Sequence, residues 1–456
     1  MDNEKKVPVF ASRFGYIMVA AGAAIGLGNI WRFPYLAYRN GGAIFILIYV
    51  AIVFVVGKAG IEMESALGRY TRTNPVAAYG KIHPRFKFIG GIGVLFTFML
   101  DMYYVVVGGY VLKYAVDYLI GADFGGDSTL WYDSFVSHPI MPVVYTLILL
   151  LVVVSVLLAG ITEKVEKVQK IIMPMLFVIL IVCGIGMLVV SPNAMMGLKY
   201  YLVPDFSKLT LKTFSDACVQ VMFSIGTGWT LYLTLGANVS KDNNIRKDAN
   251  YIILCDTLVA ILAGFVVIPP IVGTGSEMVA GPSLVFVALT DVFAVLPGGR
   301  ILGFLFFIVL FLAVISSMFT FIEIPAVVVK EKLNVSHAKA TVITTIAVFL
   351  FSLLCAWSQG DGILSFVRIP WINVDGISWY RIIDWVDCFS SYVLMPVGNV
   401  LVAFFCAKIW KFSNYERELT VGGRDGKLRW IDKAVITVLI PIFSIIVLMN
   451  VFGILG

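Results

Sequence analysis

Eleven apolar stretches of membrane-crossing length leave this chain few ways to fold. They run at 12–37, 42–68, 89–120, 141–159, 167–190, 214–238, 248–272, 300–329, 339–356, 385–411 and 431–454. A helix needs roughly 20 apolar residues to cross the hydrocarbon, and only helices and closed barrels satisfy their backbone groups where water is absent. The 456 residues are 60% hydrophobic and 14% charged, whereas soluble domains are about 25% charged. The chain reads as an all-α membrane protein.

The polar segments between the stretches set the orientation. Lys5, Lys6 and Arg13 precede span 1; Arg69, Arg72, Lys81, Arg85 and Lys87 lie between spans 2 and 3. Lys164, Lys167 and Lys170 open span 5, and Lys241, Arg246 and Lys247 join spans 6 and 7. Lys408, Lys411, Arg417, Arg424, Lys427 and Arg429 join spans 10 and 11, whereas the 120–140 loop holds Asp123, Asp127 and Asp133 and no Lys or Arg. Basic short loops mark the cytoplasmic side, so the N-terminus is predicted cytoplasmic and Gly456 extracellular. Met1 to Pro8 is polar and the first apolar run is long, which argues against a cleavable leader.

Other classes find little support. Cys183, Cys218, Cys255, Cys355, Cys388 and Cys406 fall in or beside spans without metal-ligand spacing and read as small packing residues. His83, His138 and His337 are placed in loops. No phosphate-binding loop, nucleophile–base pair or basic aromatic stripe is present, so an ATP-driven pump, an enzyme or a nucleic-acid binder is not expected.

Two spans are interrupted by glycine, in corresponding halves. Span 1 carries Gly22-Ala23-Ala24-Ile25-Gly26-Leu27-Gly28-Asn29, and span 6 carries Ser224-Ile225-Gly226-Thr227-Gly228-Trp229-Thr230. Unpaired backbone groups are costly in hydrocarbon, so such breaks persist where they line a site. Paired breaks point to a transporter's substrate site.

Ala11-Ser12-Arg13, leading to Gly26-Leu27-Gly28-Asn29-Ile30-Trp31-Arg32-Phe33-Pro34-Tyr35 and Asn40-Gly41-Gly42, resembles the first helix of the neurotransmitter:sodium symporter family. Glu64-Ser65-Ala66-Leu67-Gly68-Arg69-Tyr70 resembles the end of its second helix, and Ala280-Gly281-Pro282-Ser283-Leu284-Val285-Phe286-Val287-Ala288-Leu289 its outer re-entrant loop. Gly303-Phe304-Leu305-Phe306-Phe307 through Ser316-Ser317 resembles its eighth helix. The resemblance covers nearly the whole chain. It implies a LeuT-like inverted 5+5 helix repeat plus one extra helix, with helices 1 and 6 discontinuous. Residues 1–11 would form a cytoplasmic segment, 12–190 the first repeat, 191–213 an extracellular loop, 214–411 the second repeat, 412–430 a cytoplasmic loop and 431–456 the eleventh helix.

The resemblance implies two sodium sites. One is formed by Ala24, Asn29, Ser224 and Asp256, completed by a substrate carboxylate; the other by Gly22, Ile25, Ala313, Ser316 and Ser317. Read without the family, Asn29 and the Ser316-Ser317 pair are oxygens in apolar surroundings, suited to a hard cation or to helix–helix bonding. Asp256 stands in Leu254-Cys255-Asp256-Thr257-Leu258-Val259. A charge at the centre of a span costs roughly 2.5–3.5 kcal/mol on insertion scales, so an intramembrane acid marks a functional site by default. Chloride-binding relatives carry a neutral residue here; Asp256 is therefore expected to supply the negative charge, to make chloride unnecessary, and to take up a proton when the site empties. A structural acid bonded to Tyr49 and Gln220 is the alternative.

Relatives that carry monoamines place an Asp where this chain has Gly26, so the resemblance implies a ligand with its own carboxylate, a neutral amino acid. The carboxylate is expected on the amides of Leu27 and Gly28 and the hydroxyl of Tyr104, and the ammonium on carbonyls of Ala23, Phe223 and Ser224. Half-helix dipoles favour that arrangement. Leu100, Phe223, Gly226, Trp229, Ser317 and Phe321 would line the side-chain pocket. Asp101, beside Leu100, keeps a basic amino acid or an amine open.

Arg32 and Asp387 match the family's outer gate, with Tyr104 and Phe223 as the lid. The inner latch departs from the family: Val7 and Phe10 replace an Arg and a Trp, so that either Lys5 or Lys6 reaches Glu331 instead or the latch is weak. Lys164 stands where the family has glycine ten residues before Pro174, and span 2 reads Gly57-Lys58-Ala59-Gly60 without the expected proline. Lys58 either snorkels or pairs with Glu62. The expected function is sodium-coupled import of a neutral amino acid by alternating access, in a bacterial plasma membrane. A non-transporting sensor or channel of the same fold is the rival reading.

Overall fold

The computed structural model describes residues 8–124, 126–374, 377–422 and 426–451. Among them, eight helices are long and apolar enough to cross a membrane: Ala43–Thr71, Pro84–Ile120, Ile161–Val190, Ile245–Thr274, Gly299–Leu333, His337–Trp357, Ile382–Ile409 and Trp430–Met449. These are spans 2, 3, 5, 7, 8, 9, 10 and 11. Span 1 is a bent pair, Arg13–Ala24 and Gly28–Arg39, at 62°. Span 4, Met141–Leu157, is bent by 77° from a short helix before it, Ser128–Val136. Span 6 is divided into Leu211–Ile225 and Leu231–Gly236. All eleven predicted stretches are thus helical. Among the described residues, the one departure from an all-helical plan is an antiparallel hairpin ahead of span 10, of β1 (Ile369–Val374) and β2 (Ile377–Tyr380).

Span 1 packs on spans 5 and 8, and span 6 packs on spans 2 and 3. Absent side chains permit the approach: a Cβ at Gly60 would stand 2.5 Å from Thr227 Cγ2, and one at Gly93 would stand 2.4 Å from Thr230 Cγ2. The most extensive contact joins spans 3 and 8.

Two departures from the family pattern have local substitutes. A π-helical turn, Val53–Gly57, interrupts span 2 where the proline was expected; such turns are frequent at functional sites. Span 5 opens on a π-helical turn, Ile161–Val165, after Gly160 at φ +93°, so a glycine stands four residues before Lys164. His337, expected in a solvated loop, instead begins span 9 with Nε2 2.8 Å from Glu323 Oε2.

Ion pairs, one of them buried, join spans 2, 7 and 11 and tie span 2 to the helix after span 10. Arg69, 1% exposed, sets Nε 2.6 Å from Glu418 Oε1 on the helix Phe412–Leu419 and donates Nη1 to the Asn243 carbonyl. Lys58 does pair with Glu62, at 3.9 Å, and Arg246 of span 7 lies 3.7 Å from Glu62 and 3.2 Å from Asp432 of span 11. Removing one partner of a buried pair strands the other charge, at about 3–5 kcal/mol. Arg69→Ala is accordingly expected to lower the thermal unfolding midpoint in detergent substantially, and an Arg69→Met/Glu418→Leu double variant to recover much of that loss.

Candidate functional site

The first half of span 1 ends at Ala24; Ile25 is extended (ψ 101°), and a π-helical turn Gly28–Arg32 leads into Phe33–Arg39. Gly26 N donates to Asn29 Oδ1 (3.1 Å) and Leu27 N to the Tyr104 hydroxyl (3.2 Å) rather than to helix carbonyls. In span 6, Gly226 (φ +71°), Gly228 (φ +88°) and Thr230 (φ +69°) carry the chain between the two halves. The second break is capped by a carboxylate. Glu64 of span 2 accepts from Gly228 N (2.9 Å), Thr230 N (3.2 Å) and Tyr232 N (3.1 Å). Asn399 of span 10 donates Nδ2 to the Thr227 carbonyl (2.9 Å). Neither residue was expected in the site. Glu64 stood in a family motif without an assigned role, and Asn399 left no local signal.

A cavity of about 20 Å³ lies between the breaks. Eleven of the expected substrate residues line it: Ala23, Ala24, Gly26, Leu27, Gly28, Leu100, Tyr104, Phe223, Ser224, Trp229 and Phe321; Asn29 and Phe96 join them. Gly226 does not, because the Trp229 indole covers it; a Cβ there would sit 2.7 Å from Cζ2. Ser317 lies outside the lining and turns to the carbonyls of Gly22 and Ile25. Asp101 is fully buried outside the lining, and its two oxygens have no hydrogen-bond partner among the described residues. The walls are aromatic: Trp229 packs on Phe96 (ring centroids 4.7 Å) and Phe321 (5.3 Å), and Tyr104 on Phe321 (5.4 Å). Such a volume admits about one water, so entry of an amino acid requires these rings or Phe223 to move.

Two buried oxygen clusters flank the cavity. In the first, Asp256 accepts from Asn29 Nδ2 (2.7 Å), Ser224 Oγ (2.8 Å) and the Tyr49 hydroxyl (3.1 Å), with Ala24 alongside in the cavity wall. Of the alternative partners expected for Asp256, Tyr49 bonds it, while Gln220 turns Nε2 toward the Gly28 carbonyl (3.4 Å). In the second, Ser316 Oγ and Ser317 Oγ reach the Gly22 carbonyl (3.0 and 3.2 Å) and the Ala313 carbonyl (2.8 and 3.1 Å), and Ser317 Oγ also the Ile25 carbonyl (2.9 Å). Crowded oxygens of this kind suit a hard cation.

Both approaches to the cavity are closed. Arg32 donates Nη2 to the Tyr392 hydroxyl (2.9 Å), and its guanidinium lies 5.2 Å from the centre of the Phe223 ring. Asp387 accepts from Ser391 Oγ (3.0 Å), and among the described residues no ion pair joins it to Arg32. The expected two-residue gate is therefore a longer chain, Phe223–Arg32–Tyr392, with Asp387 about a turn away. On the other side, Ala11 N and Ser12 Oγ donate to Glu166 of span 5 (2.7 and 3.1 Å), and Arg13 Nε lies 2.6 Å from Asp248 Oδ1. Glu331 accepts from Thr73 Oγ1 and Asn74 N, each at 3.3 Å. Lys5, Lys6 and Val7 lie outside the described residues.

Residues 8–122 and 135–370 match the model of the sodium:neurotransmitter symporter family. The chain belongs to this family. It is 33% identical over 427 residues to an uncharacterized sodium-dependent transporter of Haemophilus influenzae, covering 90% of this chain and 91% of that one. It is 32% identical over 463 residues, the whole of both chains, to the sodium-dependent transporter YhdH of Bacillus subtilis. The crystal structure of MhsT in complex with L-phenylalanine matches with a TM-score of 0.86 at 30% identity, over 98% of this chain and 100% of that one. The symporter is thus a multi-pass, sodium-dependent membrane transporter with the LeuT-like fold.

The Glu64 cap gives a direct test of the second break. Glu64→Ala leaves three buried amides without an acceptor, each worth about 1–3 kcal/mol; ligand binding should be lost and the melting temperature should fall. Glu64→Gln keeps an acceptor oxygen and should melt between the two. Wild-type melting of Glu64→Ala would mean that the break holds without its cap.

Proposed function

We propose that this symporter imports a neutral amino acid together with two sodium ions, by alternating access and without chloride. One observation carries the reading: the Leu27 amide, the Tyr104 hydroxyl and the Asn29–Ser224–Asp256 cluster converge on a single closed cavity with an aromatic wall. The amino acid's carboxylate meets the Leu27 and Gly28 amides and Tyr104, and its ammonium meets the carbonyls of Ala23, Phe223 and Ser224. Its side chain displaces the rings of Trp229 and Phe321. The L-phenylalanine in the related MhsT structure supports an amino acid ligand for this architecture.

The first sodium sits among Ala24, Asn29, Ser224, Asp256 and the substrate carboxylate, and the second among Gly22, Ile25, Ala313, Ser316 and Ser317. The serine hydroxyls rotate their protons away to present oxygen to the ion. The Asp256 carboxylate, bonded to Tyr49, Ser224 and Asn29, already places negative charge beside the first ion, so a chloride there would meet repulsion rather than supply balance. Sodium favours the outward-open arrangement and substrate favours closure, which couples the two. Opening to the cytoplasm parts Arg13 from Asp248 and Ala11 and Ser12 from Glu166 as spans 1, 2, 6 and 7 rock against the rest. The N-terminus lies in the cytoplasm of a bacterial cell and the C-terminus outside.

Uptake of labelled amino acids into proteoliposomes tests this reading. With an inward sodium gradient and no chloride, one neutral group should accumulate, and potassium in place of sodium should abolish it. Asp256→Asn should lose chloride-free uptake and regain part of it when chloride is added. A chloride requirement in the unaltered protein would overturn the role of Asp256. Accumulation of lysine or an amine alone would bring Asp101 into the site.

A further inference from the structure

The second oxygen cluster is rich in acceptors, and the two serine hydroxyls are the only donors that reach its freed carbonyls among the described residues. The Gly22 carbonyl has no helical donor, because Gly26 N is turned to Asn29 Oδ1. The Ile25 carbonyl also lacks one, because Asn29 N is turned to the Gly26 carbonyl. Beside them stands Gln169 of span 5, 0% exposed. Its Nε2 donates to the Ser316 carbonyl (2.9 Å), and its Oε1 has no hydrogen-bond partner among the described residues. Turning the amide over would set Oε1 against the Ser316 carbonyl, oxygen to oxygen, so the bond to Ser316 fixes which atom is left free. The amide also lies directly on Gly22, where a Cβ would stand 2.7 Å from Nε2 and 2.9 Å from Oε1. Buried acceptors are seldom left unpaired, and one placed beside two carbonyls without backbone donors and two rotatable hydroxyls is positioned for a cation.

We propose that Gln169 Oε1 is a further ligand of the second sodium, and that span 5 thereby closes that ion off from the cytoplasm. This rests on the second sodium site of the preceding section. Glu166, three residues earlier on span 5, accepts from Ala11 N and Ser12 Oγ. The same face of span 5 therefore holds the cytoplasmic end of span 1 and touches the ion cluster. When the Glu166 contacts part, span 5 withdraws the Gln169 oxygen as well, and the ion loses a ligand on its exit side.

The probe is sodium itself, read as stabilisation of the full-length protein in detergent against thermal unfolding, with potassium keeping the ionic strength constant. Gln169→Leu should raise the sodium concentration for half-maximal stabilisation about tenfold, equivalent to about 1.4 kcal/mol. The unfolding midpoint in potassium alone reports the packing loss separately: a purely packing role would lower that midpoint in Gln169→Leu without moving the sodium concentration for half-maximal stabilisation. Ser317→Ala serves as the reference for the site. If Ser317→Ala shifts the sodium response and Gln169→Leu does not, the Gln169 proposal falls while the site stands. If neither shifts it, the second site falls and this proposal with it. Should Gln169→Leu fail to fold, Gln169→Asn withdraws the oxygen by one methylene and should show the same shift; a wild-type response from Gln169→Asn would overturn the proposal.

Discussion

The structure turns on backbone groups left without helical partners at two points inside an apolar body. In hydrocarbon each such group must find another partner, and the two breaks solve this in opposite ways. The span 6 break is rich in donors, and a fixed carboxylate, Glu64, takes three of its amides. The span 1 break is rich in acceptors, and serine hydroxyls from span 8 take the carbonyls of Gly22 and Ile25. A buried carboxylate bonded three times has no reason to let go. A hydroxyl can turn its proton aside for a cation. The chemistry of the second cluster therefore follows from which kind of backbone group its break sets free.

This difference divides the contacts into lasting and exchangeable ones. Glu64 joins span 2 to span 6, and Arg246 joins spans 2, 7 and 11 through Glu62 and Asp432. Glu64 is fully buried and bonded three times, and Glu62 is buried beside two cations, so separating either strands a charge in a poor solvent. The contacts of span 1 with spans 5, 7 and 8 run instead through hydroxyls, the Ala11 amide and one partly exposed arginine, Arg13. On the proposed mechanism span 1 is the element whose neighbours change, and its partners are the ones that cost least to exchange.

Much of this was legible in the sequence, and the remainder failed for identifiable reasons. The spans could be read because membrane insertion is governed by local hydrophobicity, and the breaks because glycine within an apolar run has few other uses. The Asn29–Ser224–Asp256 cluster was reached through the family resemblance and the cost of an acid within a helix. Glu64, Asn399 and Gln169 were missed as site residues because their partners lie 164, 172 and 147 residues away, and nothing near them in sequence marks the pairing. Gly226 was placed in the wall because it sits in the break, but its left-handed conformation puts it beneath Trp229. The missing proline of span 2 and Lys164 in span 5 depart from the family pattern, and the π-helical turns at Val53–Gly57 and Ile161–Val165, which place backbone irregularity in the same spans, carry no sequence signal of their own. The hairpin ahead of span 10 is too short to stand out from a loop in an otherwise helical pattern.

The cavity wall links selection of the substrate to both ion clusters. Phe321 is one helical turn from Ser317 on span 8, and its ring packs on Trp229 and on Tyr104. The Tyr104 hydroxyl accepts from Leu27 N, two residues before Asn29 of the first cluster. On the proposed reading, a side chain that displaces Phe321 moves the wall between the second cluster and Tyr104, which would orient the substrate carboxylate. Close-packed interiors answer such a displacement by switching between discrete arrangements rather than by bending smoothly. A ligand of the wrong size then leaves Tyr104, Leu27 and the carbonyls of span 1 out of register, and the ions lose affinity along with it. Because coupling between sites is reciprocal, on the proposed function the fit of one aromatic ring would set both which amino acid is bound and how tightly sodium is held.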